Sequence, residues 1–264
     1  MAGLPEIRAR SFDGTLAHAA PVRNLLSRSE QEKLERIATL VVCKRGTNLC
    51  PQGEQARFVY LIAEGIVRIN RCDDTGHRQI MAFVGTGDLC GVPCGGCYFS
   101  SAETVSATKA YRFEWQKLQQ LLASEPHLQS VLFQKVFDDY CRAQVRMLTL
   151  GQQNAYQRLA SFILDFVDPL EHQGDGRSFS MPISRADLAD YLGIAPESTA
   201  RAFAKLESLG LIRRTTPRSI QVLDVAGLRT IHAAPRRQNK TGEGQENASR
   251  RGRSASSPMS CDLT

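Results

Sequence analysis

The sequence has no apolar run approaching the roughly 18 residues that a membrane-crossing helix needs. Its first residues, MAGLPEIRARSFDGT, lack the apolar core of a secretion signal. A cytoplasmic protein with no membrane partner is expected. Catalytic signatures are missing as well. The chain contains no GxxxxGK[ST] phosphate loop, no HExxH and no recognisable nucleophile–base pair, and its five histidines are isolated. His77 reads as a turn residue and His127 as a helix-start residue, so no enzyme is expected. What is there is a chain of 264 residues, 42% hydrophobic, long enough for one core of ordinary size and a smaller one, and two domains are the natural division. The net charge of +6 favours a polyanion only modestly, because after Ala234 six basic residues face three acidic ones.

The most informative stretch runs from Ser184 to Leu209. Ser184 stands as N-cap, with Asp187 three residues on, and Leu188, Ala189 and Leu192 line one face of a short helix. Gly193 follows where a chain leaving a helix needs a left-handed residue, and Pro196 sits where a new helix tolerates a missing N–H. In this second helix Phe203, Leu206 and Leu209 recur at helical spacing and are expected to point inward. Glu197, Ala200, Arg201, Ala204 and Lys205 then fall near the opposite side.

A small, basic helix face suits a DNA groove. Arginine can donate two hydrogen bonds to the O6 and N7 of guanine, glutamate can accept from the amine of cytosine, and alanine offers methyl contact to thymine. Glu197, Ala200 and Arg201 are therefore the candidate base contacts. The plain alternative is an exposed i,i+4 ion pair between Glu197 and Arg201, steadying the helix by about 0.3–0.5 kcal/mol. A hairpin follows at Leu211–Leu223, two apolar-alternating runs around Thr216-Pro217-Arg218-Ser219, and it reads as a wing. From Pro196 to Leu223 five Lys or Arg stand against two Glu, a local net of +3. Ser184, Ser198, Lys205, Arg213, Arg214 and Arg218 are the candidate phosphate contacts.

Upstream, from about Ile37 to Trp115, short apolar runs are punctuated by Gly46, Gly53, Gly65, Gly76 and Gly87, which predicts an all-β roll or barrel. The clearest predicted hairpin is FVYLIAEGIVRIN, with Tyr60, Ile62, Ile66 and Ile69 on two strands around Glu64-Gly65. A helix with Ser29 and Glu32 as capping box precedes the roll. After Pro126 comes a long helical stretch whose candidate seam residues are Leu128, Leu132, Val136, Ala143, Val145 and Leu150. It either pairs with a second copy or packs only against its own roll. The tail is polar, basic and poor in apolar residues, and is expected to be disordered.

Eight cysteines are many for a cytoplasmic protein, where structural disulfides are rare. Three cluster in Cys90-Gly-Val-Pro-Cys94-Gly-Gly-Cys97. Three readings stay open for Cys90, Cys94 and Cys97: small buried packing residues, a thiol redox switch, or ligands of a metal or iron–sulfur cluster. A fourth ligand for the last would have to come from Cys43, Cys50, Cys72 or His77.

In RADLADYLG, in the Glu197…Arg201 pair and in the NAYQRLASFILDF run that leads in, the chain resembles the CRP/FNR group of bacterial transcription regulators, and within it the FNR and FixK branch. The resemblance extends to about Ile231. It implies dimeric binding to pseudo-palindromic operators, with Glu197 and Arg201 contacting a half-site like TTGAT whose inverted partner lies about one helical turn away. Two positions depart from the FNR-like pattern: Ala200 replaces a serine and Thr199 an apolar β-branched residue. The first 42 residues contain no cysteine, so a standard FNR-type oxygen-sensing cluster is not expected. The segment GDLCGVPCGGCYFSSAETVS occupies the place of the family's cyclic-nucleotide cassette. Val92 follows Gly91 where a glutamate would bind ribose, and no arginine accompanies Ser100-Ser101, so no cyclic-nucleotide site is expected.

The expected fold is α+β: an N-terminal β-roll (a cyclic-nucleotide-binding-like jelly roll), a long dimerisation helix and a C-terminal winged helix-turn-helix. The expected division is an arm at 1–28, the roll at 29–115, the dimerisation helix at 116–150, the winged helix-turn-helix at 151–232 and a basic tail at 233–264. The expected function is sequence-specific transcription regulation, in the sense of an activator, with double-stranded operator DNA, RNA polymerase and a second copy of the chain as partners. The competing reading is a thiol- or metal-based redox-sensing protein whose active element is the cysteine-rich roll. The basic reading face and wing distinguish the two, since a redox protein has no need of them.

Overall fold

The computed structural model describes residues 26–166, 177–180, 183–216 and 219–233. Expectations for the arm before residue 26, for the tail after residue 233, and for Arg218 and Cys261 fall outside the described residues.

Helix α1 (Arg28–Ile37) opens with a capping box, but in a register two residues earlier than expected. The motif Ser-x-x-Glu occurs twice in SRSEQE, and the pair used is Ser27 with Glu30, not Ser29 with Glu32. The Glu30 N–H donates to Ser27 Oγ at 3.3 Å, and the Ser27 N–H donates to Glu30 Oε2 at 2.8 Å. The earlier register also buries Glu30 and sets its other oxygen 2.9 Å from His127 Nδ1.

The roll comprises β1 (Ala38–Cys43), β2 (Asn48–Cys50), β3 (Phe58–Glu64), β4 (Val67–Cys72), β5 (Arg78–Val84), β6 (Leu89–Cys90), β7 (Ser101–Thr104) and β8 (Thr108–Glu114). They form two antiparallel four-stranded sheets, ordered β1-β8-β3-β6 and β2-β7-β4-β5. Cys50, Ile62, Val67 and Ala110 lie fully buried in the roll core. The hairpin expected at FVYLIAEGIVRIN is not formed: β3 pairs with β8 and β6, while β4 pairs with β5 and β7. The reason is that Val59, Tyr60, Leu61 and Ile62 are buried in succession, so β3 has two covered faces. The chain instead crosses between sheets at Gly65, at φ +99°, where a Cβ would stand 2.5 Å from the Ala107 carbonyl oxygen.

Two helices follow, α2 (Trp115–Ser124) and α3 (Pro126–Gln152), where one was expected over 116–150. Pro126 has no N–H to continue α2 and instead starts α3. Leu118, Leu122, Leu128 and Val131 pack with Val59, Leu61 and Phe113 of the roll. Leu128 and Leu132, expected in a seam between copies, therefore face their own roll. Buried Lys135 ties α3 to the β5–β6 turn, with Nζ 2.9 Å from Asp88 Oδ1 and 3.0 Å from Asp139 Oδ1.

The C-terminal part comprises α4 (Ala155–Phe166), β9 (Arg177–Ser180), α5 (Arg185–Leu192), α6 (Pro196–Ser208), β10 (Ile212–Thr216), β11 (Ser219–Val222) and α7 (Val225–Ala233). The wing is a three-stranded sheet ordered β10-β11-β9. Strand β9, only four residues long, was not anticipated: RSFS is too short to show a period. Leu159, Phe162, Ile163, Leu188, Leu192, Phe203, Leu206 and Ile212 form the core. The roll contributes to that core, because Ile80 is buried in it and Phe83 lies against Tyr191 and Phe162 at centroid distances of 5.3 and 6.1 Å.

Candidate nucleic-acid interface

Local chemistry fixes the helix pair. Ser184 caps α5, its Oγ accepting from the Asp187 N–H at 3.0 Å. Gly193 takes the left-handed conformation at φ +63°, and the Ile194 N–H returns to the Ala189 carbonyl at 3.2 Å. Ala195 then caps α6, with Pro196 in its first turn. Thr199, Ala202, Phe203 and Leu206 make the buried stripe of α6. The Thr199 hydroxyl donates to the Ala195 carbonyl at 3.4 Å, which satisfies it within the buried stripe. Leu209, expected to point inward, is 43% exposed, because α6 ends at Ser208 and the inner place passes to Leu211.

Glu197, Ala200, Arg201, Ala204 and Lys205 are all exposed on the other face of α6. Arg201 Nη2 donates to Ser198 Oγ at 3.2 Å, and no Glu197–Arg201 ion pair forms among the described residues. Carboxylate and guanidinium are thus not neutralised against each other. The half-buried Ser184 and Ser198 and the exposed Arg213 border this face in sequence and on the wing.

Arg214, a candidate phosphate contact, turns its guanidinium onto α6: Nε donates to Glu207 Oε1 at 2.9 Å and Nη2 to Glu207 Oε2, and the Arg214 backbone N–H donates to Oε1 at 3.0 Å. The bidentate pair raises the Arg214 pKa, and the same hydrogen bond is the main reason the Glu207 carboxyl lies below its ordinary value. Arg185 and Arg214 also lie over the Phe203 ring, at 4.2 and 5.5 Å from its centroid. Arg214 braces the wing.

A second polar contact, unseen in the sequence, holds α5 from the roll side. Arg68 Nη1 on β4 donates to Asp187 Oδ1 at 2.7 Å, and Arg78 Nη2 on β5 donates to the same oxygen at 2.8 Å. Arg78 Nε donates to Asp190 Oδ2 at 3.0 Å. On the α3 side, Arg146 stacks 3.9 Å from the Tyr191 ring centroid and donates to the Tyr191 carbonyl. Burial lowers the Arg146 pKa. Residues separated by more than a hundred positions meet here, which no spacing rule reveals.

The three clustered cysteines do not converge. Cys90 is buried beside Cys50, whereas Cys94 and Cys97 are exposed on the following loop. A hydrogen bond with Cys50 and burial both push the Cys90 thiol well above its ordinary pKa. Among the described residues no three His, Cys, Asp or Glu side chains gather as metal ligands. Of the three readings left open for Cys90, Cys94 and Cys97, packing describes Cys90, which belongs to the core, whereas Cys94 and Cys97 stand outside it. In the cassette region the backbone at Gly91 is closely packed. A Cβ on Gly91 would stand 2.7 Å from Cys50 Sγ and 3.0 Å from the Phe58 carbonyl oxygen. The Tyr98 hydroxyl donates to that carbonyl at 2.9 Å, and Ser101 Oγ accepts from the Gln52 N–H at 3.0 Å.

No helix among the described residues is long and apolar enough to cross a membrane. Residues 157–231 match the family model described as Crp-like helix-turn-helix domain, and residues 40–125 match that described as Cyclic nucleotide-binding domain. The chain is 31% identical over 188 residues to the nitrogen fixation regulation protein FixK of Rhizobium meliloti (strain 1021), covering 71% of this chain and 84% of that one. It is 32% identical over 197 residues to the FixK protein of Azorhizobium caulinodans, covering 74% and 79%. Among solved structures, FixK2 from Bradyrhizobium japonicum superimposes with a TM-score of 0.69 at 27% identity, over 75% of this chain and 98% of that one. The chain belongs to the CRP/FNR family of DNA-binding transcription regulators, in its FixK-like branch.

Proposed function

We propose that the chain binds an FNR/FixK-like pseudo-palindromic operator as a homodimer and acts there as an activator through RNA polymerase. The observation that carries this reading is the face of α6: Glu197, Ala200, Arg201 and Lys205 stand exposed above a buried stripe, on a helix that starts at Pro196 directly after the left-handed turn at Gly193. In this reading α6 enters the major groove. Arg201 donates to a guanine, Glu197 accepts from a cytosine amine, and Ala200 offers its methyl to a thymine. Ser184, Ser198, Lys205 and Arg213 contact phosphate, joined by Arg218 on its sequence position, while Arg214 keeps the wing in place.

Homodimerisation is supported by an apolar stripe on α3 that its own roll leaves uncovered. Phe133, Phe137, Tyr140 and Met147 are 70%, 49%, 56% and 64% exposed. With Gln144 they follow alternating steps of four and three, the spacing of a coiled-coil seam. The FixK relatives are named as regulators of nitrogen fixation, and a Rhodopseudomonas palustris relative at 30% identity over 210 residues is named a transcriptional activatory protein. Activation and a cytoplasmic place of action rest on that kinship and on DNA being the partner.

The test is fluorescence anisotropy of the full chain on an operator duplex and on a scrambled one. Arg201→Ala is expected to lose about 1–3 kcal/mol on the operator and little on the scrambled duplex. Equal losses on both would remove the base-reading role.

A further inference from the structure

Between β6 and β7 the chain reverses through Cys94-Gly95-Gly96-Cys97. Cys94 and Cys97 are antiparallel bridge partners: the Cys94 N–H donates to the Cys97 carbonyl at 3.0 Å, and the Cys97 N–H donates to the Cys94 carbonyl at 3.3 Å. Reciprocal bonds define a hydrogen-bonded pair, whose Cα atoms stand about 5.5 Å apart. That separation lies within the roughly 4.4–6.8 Å that a disulfide spans. Opposed Cβ atoms across a ladder sit about 4.5–5.5 Å apart, at the upper end in a hydrogen-bonded pair such as this one and so wider than the 3.5–4.5 Å or so a disulfide prefers, and closure has to draw the two ends together. The turn can absorb this. Gly95 and Gly96 both hold positive φ, +62° and +83°, as a two-residue hairpin turn of the primed type requires.

The hairpin is held from below and open above. The Ala56 N–H donates to the Gly96 carbonyl at 3.0 Å, and the Tyr98 N–H to the Glu54 carbonyl at 2.9 Å, which fixes the base of the turn to the loop preceding β3. Cys94 and Cys97 are both exposed, while Cys50 and Cys90 are sealed in the core. Cys72 is exposed too, but it pairs with Arg78 across the sheet and exchanges hydrogen bonds with the Gln52 amide. Exposure and a facing thiol therefore coincide at Cys94 and Cys97.

We propose that Cys94 and Cys97 are a dithiol site that a hydroperoxide converts to an intramolecular disulfide. The thiolate of one cysteine attacks a peroxide oxygen. The O–O bond breaks, leaving a sulfenic acid and, with a proton from solvent, one water. The sulfur of the other cysteine then attacks the sulfenic sulfur, the S–O bond breaks, and the departing hydroxyl leaves with the second thiol proton as another water. Two thiols and one hydrogen peroxide give one disulfide and two waters, two electrons passing from sulfur to peroxide. A thiol donor reverses the bond by exchange. The chemistry is independent of whether the chain reads DNA.

The test uses the reduced full chain, treated with graded hydrogen peroxide, alkylated and mapped by mass spectrometry. The expected result is loss of two hydrogens from the peptide carrying Cys94 and Cys97, with protection of both from alkylation and full recovery under dithiothreitol. In Cys94→Ser the disulfide is absent and Cys97 is captured as a sulfenic acid by dimedone, whereas Cys72→Ser retains the wild-type disulfide. An unchanged melting curve for Cys94→Ser establishes that its fold is intact, as an exposed position requires. The proposal is overturned if Cys94 and Cys97 stay open to alkylation while other thiols react. Wild type accumulating as much dimedone adduct on Cys97 as Cys94→Ser does overturns it equally, since the facing thiol is then not closing the bond.

Discussion

Arg78 of the roll and Asp190 of α5, the first helix of the helix-turn-helix pair in the C-terminal DNA reader, meet with Nε and Oδ2 3.0 Å apart, and the same guanidinium reaches Asp187 at 2.8 Å. The roll thus grips α5 and leaves the exposed face of α6 uncovered. A sensor-like domain can in this way set the orientation of the reading helix without occupying it, and Ile80 and Phe83 add apolar contact at the same junction.

Arg78→Ala removes one cation from a cluster in which the Asp187 side chain is buried and Arg78 itself is partly solvated. Losing a partner of a buried charge costs about 3–5 kcal/mol, and solvent access to Arg78 moves the expectation below that range, to about 1–3 kcal/mol. The loss should appear in calorimetry as separation of the roll and reader transitions. A single transition at an unchanged midpoint would show that the junction does not couple the domains.

The local parts of this architecture were legible because each is written within a few residues. Ser184, Gly193 and Pro196 mark the caps of the helix pair, and its buried and exposed faces follow from period except at Leu209, where the helix has already ended. The misreadings share a cause, which is that tertiary partners chose between local options of nearly equal merit. Ser27-x-x-Glu30 and Ser29-x-x-Glu32 are the same motif, and His127, almost a hundred residues away, favours the first. The turn at Gly65 looked like a hairpin because sequence shows alternation but not which sheet a strand joins. On α3 the apolar residues form two faces, and only the roll reveals that Leu128 is covered while Phe133 is not.

Arg213→Ala and Arg214→Ala, neighbours on β10, should separate in kind. Arg213 is exposed, and as a phosphate contact its loss should weaken binding alike on all sequences and reduce the slope of log K against log salt by about 1. Arg214 is bound to Glu207, so its removal should lower thermal stability of the reader and be matched by Glu207→Gln. Parallel salt slopes for Arg213→Ala and wild type would exclude its phosphate role.

Cyclic AMP should give no heat in calorimetric titration and leave operator affinity unchanged. Cys50, Tyr98 and the Phe58 carbonyl close around Gly91, and the sequence carries no arginine in the Ser100-Ser101-Ala102 stretch to offset dehydration of a phosphodiester. Micromolar binding would show that this packing opens.

Acid should loosen α1 through Glu30. Its carboxyl lies at about 2 against an ordinary 4.5, chiefly because Ser27 hydrogen-bonds the carboxylate, with burial opposing and His127 assisting. A carboxyl depressed on folding stabilises fully above pH 4.5 and loses that contribution as pH falls toward 2. Urea midpoints should therefore fall more steeply with acidification below pH 4.5 in wild type than in Glu30→Gln. Parallel curves would mean that the capping box does not carry the charge dependence.

Phe137 stands between Phe133 and Tyr140 in the open stripe on α3, its ring 6.5 Å from that of Phe133 and 6.2 Å from that of Tyr140. In a parallel seam the same residue of the second copy faces it, so Phe137→Glu sets two carboxylates against each other in place of two rings. Phe137 is half exposed in the single chain, so the substitution should leave monomer stability nearly unchanged. Ultracentrifugation should show a monomer. Operator affinity should drop steeply, because two half-sites one turn apart then have to be filled independently, while binding to an isolated half-site should match wild type. A Phe137→Glu protein that sediments as a dimer would place the two-fold contact elsewhere on the molecule.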